Sequence, residues 1–232
     1  ARKIKFYSFC GIRGIFFCGG PLLFRDLFNY VMGRLLWHPE RDVEQLINEF
    51  MPAYYGAAGP RVREFFDLLY NRVDDKSAPV HTDCESPNPG LVTPGFASMA
   101  YAIFEKARSA VKNDPVLLER VKIEELYGVL WADLNENERG KLVKNGRVDA
   151  RVLAKFRRLV DICTARRINS FVRGEKGGAW VSKAFGIPIE ADPWYEDPLV
   201  REFCSKDLSR AAIKKMERRL MQKPIQGGIE IL

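Results

Sequence analysis

The sequence predicts a mainly α-helical fold, in which a terminal β/α element of a sheet or (β/α) barrel is followed by an α-helical domain. Residues 37–73 contain two amphipathic helical segments joined by little linker. Ahead of them lies one strand-like segment, residues 11–20, and a lone buried strand cannot pair its own backbone donors and acceptors. We therefore interpret this segment as the last strand of a larger sheet or barrel.

The first elements are predicted as helix, strand and helix. Residues 2–10 mix basic and apolar side chains as the end of a helix does, and Gly11 suits the position just past its C-terminus. Residues 12–18 are almost all apolar, which is typical of a parallel strand covered on both faces. Residues 22–37 place apolar side chains at helical spacing, so the three elements form one α/β unit.

The helical domain begins with two clear helix signals. Asp42 is predicted as an N-cap with Gln45 as its capping-box partner. Pro52 is expected to distort the end of that helix. Residues 56–60 make a break, and Pro60 suits the first turn of the next helix.

Residues 74–94 contain four prolines and form the longest irregular segment, so they are the predicted internal break. We assign residues 1–38 to the last helix, strand and helix of a truncated barrel, and residues 39–232 to the helical domain. Further helices are predicted over residues 95–113, from Asp114-Pro115, over 149–171 and over 207–222, with irregular chain over 174–194 and a short strand at the C-terminus.

Composition narrows the classes of function. The chain carries 37 Lys and Arg against 30 Asp and Glu, a net charge of +7, but the basic residues are spread along it. This spread is typical of a solvated surface and disfavours a nucleic-acid-binding protein. No apolar run approaches the roughly 20 residues of a membrane span, and no signal-peptide pattern is visible.

Cysteine and histidine usage predicts neither a metal site nor a cofactor. The chain has 5 cysteines, no C-x-x-C pair and 2 His. The odd number of cysteines argues against a complete disulfide set. Cys18 and Cys163 are expected to be small buried hydrophobic residues.

Several motifs carry a family resemblance. The chain contains G-I-R-G-I-F from Gly11, then R-L-L-W-H-P, D-V-E-Q-L-I-N-E-F and Y-Y-G-A-A-G-P-R-V-R-E-F-F-D-L-L, and later N-D-P-V-L-L-E-R-V-K-I-E-E-L from Asn113. Together they resemble the C-terminal part of a mostly bacterial, glycoside-hydrolase-like family with a domain of unknown function (DUF4838), near hexosaminidases and α-glucuronidases. The resemblance covers about the first third of the chain and the later run.

The resemblance implies a carbohydrate-active protein in which G-I-R-G-I-F closes a (β/α) barrel. It implies that the acid/base carboxylates lie upstream of Ala1, so we assign no catalytic residue within the chain. The implied partners are the upstream barrel of the same protein and a glycan, with a homodimer as an open alternative. The implied location is secreted or periplasmic.

The candidate substrate-binding residues are Phe17, Gly19 and Gly20. Barrel enzymes build their sites at the C-terminal ends of strands, glycine lets the backbone approach a ligand, and an aromatic ring can stack on a sugar. The alternative is that Phe16 and Phe17 straddle the strand and pack on its two sides.

Other acidic and aromatic residues are expected to be structural. Glycoside hydrolysis requires two carboxyl groups about 5–10 Å apart. Glu124 and Glu125 point in different directions on a helix, so we expect one to be solvated and the other salt-bridged. Asp83 and Glu85 lie near His81 in the sequence, and we expect them to be ordinary polar residues of a loop.

The aromatic residues divide into two expected groups. Trp37, Tyr54 and Tyr55 are expected to lock helix against helix. Trp180 and Trp194 lie among Gly and Pro and are expected to be exposed, as sugar-stacking or interface residues.

The resulting hypothesis is the C-terminal fragment of a glycoside-hydrolase-like protein, whose helical domain supports the barrel. The fragment alone would be inactive. The alternative is a non-enzymatic helical module whose basic surface binds an acidic partner, with residues 12–18 pairing with residues 228–232.

Overall fold

The chain is mainly α-helical in the computed structural model, as the sequence predicts. The structure describes residues 2–16, 22–74, 90–144, 147–171, 177–185, 187, 189–205, 211 and 213–214. It divides into two compact units, unit 1 within residues 1–78 and 95–129, and unit 2 within residues 79–94 and 130–232. No observation tests the predicted domain boundary after residue 38, so that boundary stays a prediction.

The helices of the described residues are, in chain order, α1 (Arg2–Phe9), α2 (Arg25–Trp37), α3 (Val43–Tyr55), α4 (Gly59–Asp74), α5 (Pro94–Ala110), α6 (Pro115–Glu125), α7 (Trp131–Glu136), α8 (Ala150–Arg166), α9 (Gly177–Phe185) and α10 (Pro198–Cys204). A π-helical turn, Leu126–Leu130, joins α6 to α7, and 3-10 turns span Gly56–Ala58 and Trp194–Glu196. Strand β1 (Val143–Lys144) pairs antiparallel with β2 (Arg147–Val148).

The predicted helix ends are confirmed at several positions. The carboxylate of Asp42 accepts the backbone N–H of Gln45 at 2.8 Å and so begins α3. Asp114 accepts the N–H groups of Val116 and Leu117, with Pro115 in the first turn of α6. Gly11 follows α1 with φ of 71°, a left-handed backbone conformation that glycine adopts more readily than other residues.

Helix α2 begins three residues later than predicted. Phe24 takes a left-handed conformation, with φ of 54°, so the helix starts at Arg25 rather than at residue 22. Helix α8 also ends early, because Arg167 is left-handed, and Ile168 donates its N–H back to the carbonyl oxygen of Cys163. The predicted irregular stretch 174–194 is wrong in part, since it contains α9.

Residues 12–16 form neither helix nor strand. An extended segment needs a neighbouring strand for its ladder of hydrogen bonds. Residues 17 and 18 lie outside the described residues, as do residues 228–232, so the barrel strand and the alternative pairing stay predictions. Most of the predicted helix over 207–222 also lies outside them.

An aromatic cluster fills the core of unit 1. The ring of Phe65 packs against Phe24, Phe96 and Phe104, with ring centroids between 4.6 and 6.3 Å apart. Helices α3 and α4 meet closely at Gly59, where an added Cβ would lie 2.7 Å from the carbonyl oxygen of Met51. Large side chains in the core and glycine at the crossing therefore allow these helices to pack.

The core of unit 2 contains the two tryptophans that were expected to be exposed. Trp180 is 6% exposed and Trp194 is 0% exposed, so that expectation is wrong. Trp180 packs against Phe171 and Phe185, and its indole N–H donates to Asn135 Oδ1 at 3.0 Å. Helix α9 places Trp180 in the core. The Gly-rich sequence around Trp180 did not indicate a helix.

Candidate functional site

The most distinctive surface lies on the first two helices and the segment between them. Ten large hydrophobic side chains are exposed among the described residues, and six of them fall within residues 6–37. We call these six the aromatic face: Phe6, Phe9, Ile12, Phe16, Leu36 and Trp37. Single exposed hydrophobic side chains are ordinary, but six within residues 6–37 make this part of the chain a candidate interaction surface.

A small buried cluster fixes the elements that carry the aromatic face. Ile4 of α1, Leu35 of α2 and Leu46 of α3 are buried together, and Ile15 packs against them. After α1 the chain turns through Gly11, where the N–H of Ile12 donates to the carbonyl oxygen of Tyr7 at 3.0 Å. The aromatic face therefore lies on packed elements.

Basic residues lie among these aromatic residues in the sequence. Residues 2–25 contain five Lys and Arg and no Asp or Glu. Arg2, Lys3 and Arg13 are exposed, and Lys5 forms a salt bridge with Glu40 at 2.9 Å. The face is therefore both apolar and positively charged.

The predicted substrate-binding residues Phe17, Gly19 and Gly20 lie outside the described residues. Their neighbour Phe16 is 88% exposed. Whether Phe16 and Phe17 pack on the two sides of a strand stays a prediction. The acidic loop residues Asp83 and Glu85, with His81, also lie outside the described residues.

A groove of about 390 Å³ opens between α2, α3 and α4. Its walls are apolar, with Phe24 and Leu27 on one side and Phe66 and Leu69 on the other, and among the lining side chains only Tyr70 carries a polar atom. Sugar recognition requires several hydrogen-bonding groups in fixed positions. The groove therefore suits an apolar surface and not a glycan.

Buried acidic side chains form the polar centre of unit 1. Glu124 on α6 is 4% exposed, which contradicts the expectation of a solvated carboxylate for one of the pair. Its Oε2 accepts the backbone N–H of Phe24 at 2.8 Å, and its Oε1 accepts the hydroxyl of Tyr55 at 2.8 Å. Glu124 thus joins α6 to the start of α2 and the end of α3.

Burial raises the pKa values of Glu124 and Tyr55 in this cluster. Desolvation raises the pKa of Glu124 to about 7, although the hydrogen bonds from Phe24 and Tyr55 act in the opposite direction. Desolvation and the nearby Glu124 charge also raise the pKa of Tyr55. Glu124 is therefore the acidic group here that changes charge near neutral pH.

Tyr54 and Tyr55 lock helices together, as expected. The ring of Tyr54 stacks on Phe50 with centroids 4.8 Å apart, and the guanidinium of Arg120 lies 4.2 Å above the same ring. The Tyr54 hydroxyl donates to Asp26, and desolvation with that bond raises the pKa of Tyr54 to about 12. With its ring covered, Tyr54 offers no platform for a sugar.

The neighbouring Glu125 is 0% exposed and forms a salt bridge with Arg108 of α5. The expectation of a salt bridge for one member of the pair is thus confirmed. Trp37 differs from the two tyrosines because it is 82% exposed, which contradicts its expected role in helix packing.

No group of three or more His, Cys, Asp and Glu side chains is placed to hold a metal ion within the described part of the chain. None of its helices combines the length and apolar character that crossing a membrane requires. Cys163 is buried as expected, and burial raises the pKa of its thiol.

Residues 1–67 match one protein family, which is described as "Domain of unknown function (DUF4838)". The matched range contains α1, α2, α3 and the whole aromatic face. No curated protein matches the chain, and no solved structure matches it.

Proposed function

We propose that this chain is the C-terminal part of a carbohydrate-active, glycoside-hydrolase-like protein. In this proposal α1, the segment after it and α2 complete a (β/α) barrel, and the following helices support that barrel. The observation that carries the proposal is the aromatic face, because it exposes apolar side chains on the elements that would complete the barrel. The family match over residues 1–67 covers the same part of the chain.

The geometry of unit 1 fits a supporting role. The cluster around Ile4, Leu35 and Leu46 ties α1 and α2 to α3. Rigid helices behind an exposed apolar surface reduce the entropy lost when a second surface binds. In this role the chain positions the last strand, and the catalytic carboxylates belong to the upstream barrel.

Trp37 provides a direct test of docking. It is 82% exposed, whereas Trp131, Trp180 and Trp194 are at most 9% exposed. In the 232-residue chain, acrylamide should quench a fluorescence component that Trp37→Phe removes. In a protein extended at its N-terminus by the proposed barrel, that component should be protected. Equal quenching in both proteins would refute docking at this face.

The carbohydrate part of the proposal requires separate tests. The extended protein should contain repeated strand-helix units, with an acidic residue at the end of a middle strand. Phe17, Gly19 and Gly20 then lie at the mouth of the barrel. Phe17→Ala in the extended protein should weaken oligosaccharide binding, measured by titration calorimetry, and unchanged affinity would remove Phe17 from the site.

A further inference from the structure

The charge on and after α1 is mainly basic, and the exposed carboxylate of Glu40 pairs with Lys5 at 2.9 Å. Helix α1 buries Ile4, and its opposite side carries Arg2, Lys5, Phe6 and Phe9 at helical spacing. Lys3 lies next to this row on α1, the exposed Arg13 follows in the segment after α1, and residues 2–25 contain no acidic residue. Basic and aromatic side chains therefore share the exposed side of α1.

The basic residues beside Phe6 and Phe9 indicate which kind of partner surface can cover these two aromatic side chains. Burying Phe6 and Phe9 against a neutral apolar surface would also remove water from the adjacent cations, and a desolvated cation without a partner is costly. A covering surface with carboxylates at its edge removes that cost and opposes wrong partners through charge. The salt bridge between Lys5 and Glu40 shows the same pairing within the chain.

We propose that the surface that docks on the aromatic face is an acidic one, an apolar patch on the upstream barrel edged by carboxylates that pair with Arg2, Lys3 and Arg13. This inference rests on the proposed function, since the partner is the barrel. It adds that charge complementarity selects the partner surface, and that apolar burial alone does not.

The test measures binding of the separately expressed barrel portion to the 232-residue chain by calorimetry. The charge variant is Arg2→Glu with Lys3→Glu, and the apolar variant is Phe6→Ser with Phe9→Ser. Lys112→Glu is the matched control, because Lys112 is an exposed cation of unit 1 outside residues 2–25. Acidic residues in the first turn favour a helix, so the charge variant should keep α1 folded.

The charge variant should weaken binding about tenfold at roughly 50 mM salt and much less at roughly 500 mM, where the charges are screened. The control should bind as the unaltered chain does. An affinity that is unchanged by salt and by the charge variant, but lost in the apolar variant, would overturn the proposal of an acidic partner surface. That result would leave the proposed function intact. Full binding by the apolar variant would overturn the proposed function itself.

A polyanion is the competing explanation for the basic residues, and heparin serves as its probe. If the charge variant loses retention on heparin but binds the barrel portion normally, the basic side chains serve a polyanion and the proposal fails. If the barrel portion does not fold by itself, the same variants are compared in the extended protein. There the charge variant should lower the urea midpoint at low salt only, and an unchanged midpoint would count against the proposal.

Discussion

Glu124 accepts the backbone N–H of Phe24 across a sequence separation of 100 residues, with 2.8 Å between Oε2 and the nitrogen. Phe24 has φ of 54°, a conformation that costs a residue with a Cβ about 1–3 kcal/mol. Its ring packs against Phe65 and Phe66 and lines the groove. The buried carboxylate therefore holds a strained residue where its ring completes the core.

The first prediction concerns the pH dependence of Glu124→Gln. Burial raises the pKa of Glu124 to about 7 from 4.5. The folded state thus binds the proton more tightly than the unfolded chain, so this group's contribution to the free energy of unfolding falls as pH rises from 4.5 to 7. A shift of this size corresponds to about 3 kcal/mol.

Glutamine resembles the protonated acid in this site, because its oxygen can accept from Phe24 and its amide can donate to the Tyr55 oxygen. Urea unfolding should therefore show equal stability for the variant and the unaltered chain near pH 4.5, and a variant about 3 kcal/mol more stable near pH 8. Glu64→Gln, at a 44% exposed side chain on α4, is the control for replacing a glutamate outside the buried cluster. A constant difference at all pH values would contradict the raised pKa.

The second prediction distinguishes the effect of the Phe24 ring on stability from the effect of its left-handed backbone conformation. Phe24→Ala and Phe24→Gly both remove the ring and should destabilise unit 1 by about 3–5 kcal/mol. Only glycine relieves the left-handed conformation, so Phe24→Gly should be more stable than Phe24→Ala by about 1 kcal/mol. Denaturant unfolding of the pair measures this difference. The opposite order would mean that the conformation at Phe24 carries no strain.

The helical class and many helix starts could be predicted from the sequence because they depend on local chemistry. Asp42 and Asp114 cap helices through contacts within three residues. The left-handed Phe24 could not be predicted in this way, because its stabilising partner Glu124 lies 100 residues away.

Burial of the acidic pair had a signal in the sequence. Val121, Glu124 and Gly128 follow one helical stripe, and Val121 is fully buried. This signal is easily missed, because carboxylates usually lie at the protein surface. The inward turn of Trp180 and the exposure of Trp37 had no such signal, since each depends on which elements pack nearby and not on local sequence.

The third prediction concerns the salt bridge between Arg108 and Glu125. Glu125 is fully buried, so Arg108→Leu removes the cation of a buried salt bridge and should cost about 3–5 kcal/mol. The double variant Arg108→Leu with Glu125→Leu removes both charges and should recover most of that loss. Thermal or urea unfolding of the single and double variants tests this coupling. If the two effects simply add, the salt bridge does not govern the burial of Glu125.

The fourth prediction concerns Gly128 in the π-helical turn Leu126–Leu130. A Cβ at this position would lie 2.6 Å from Cζ and 2.7 Å from Cε1 of Phe65. Phe65 is fully buried and held by Phe24, Phe96 and Phe104, so its ring has little room to move. Gly128→Ala should therefore destabilise unit 1 by about 1–3 kcal/mol.

Gly33 supplies the matched control, because it lies within α2 and, apart from its chain neighbours and the nearby backbone of its own helix, no atom comes within 4 Å of an added Cβ. Gly33→Ala should stabilise the helix by about 0.5–1 kcal/mol, since alanine loses less backbone freedom than glycine. Replacing Phe65 with Leu in the Gly128→Ala background should make the added methyl less costly than it is beside the phenyl ring. If Gly128→Ala is as well tolerated as Gly33→Ala in urea unfolding, the close approach of Phe65 to the π-helical turn is not what requires glycine there.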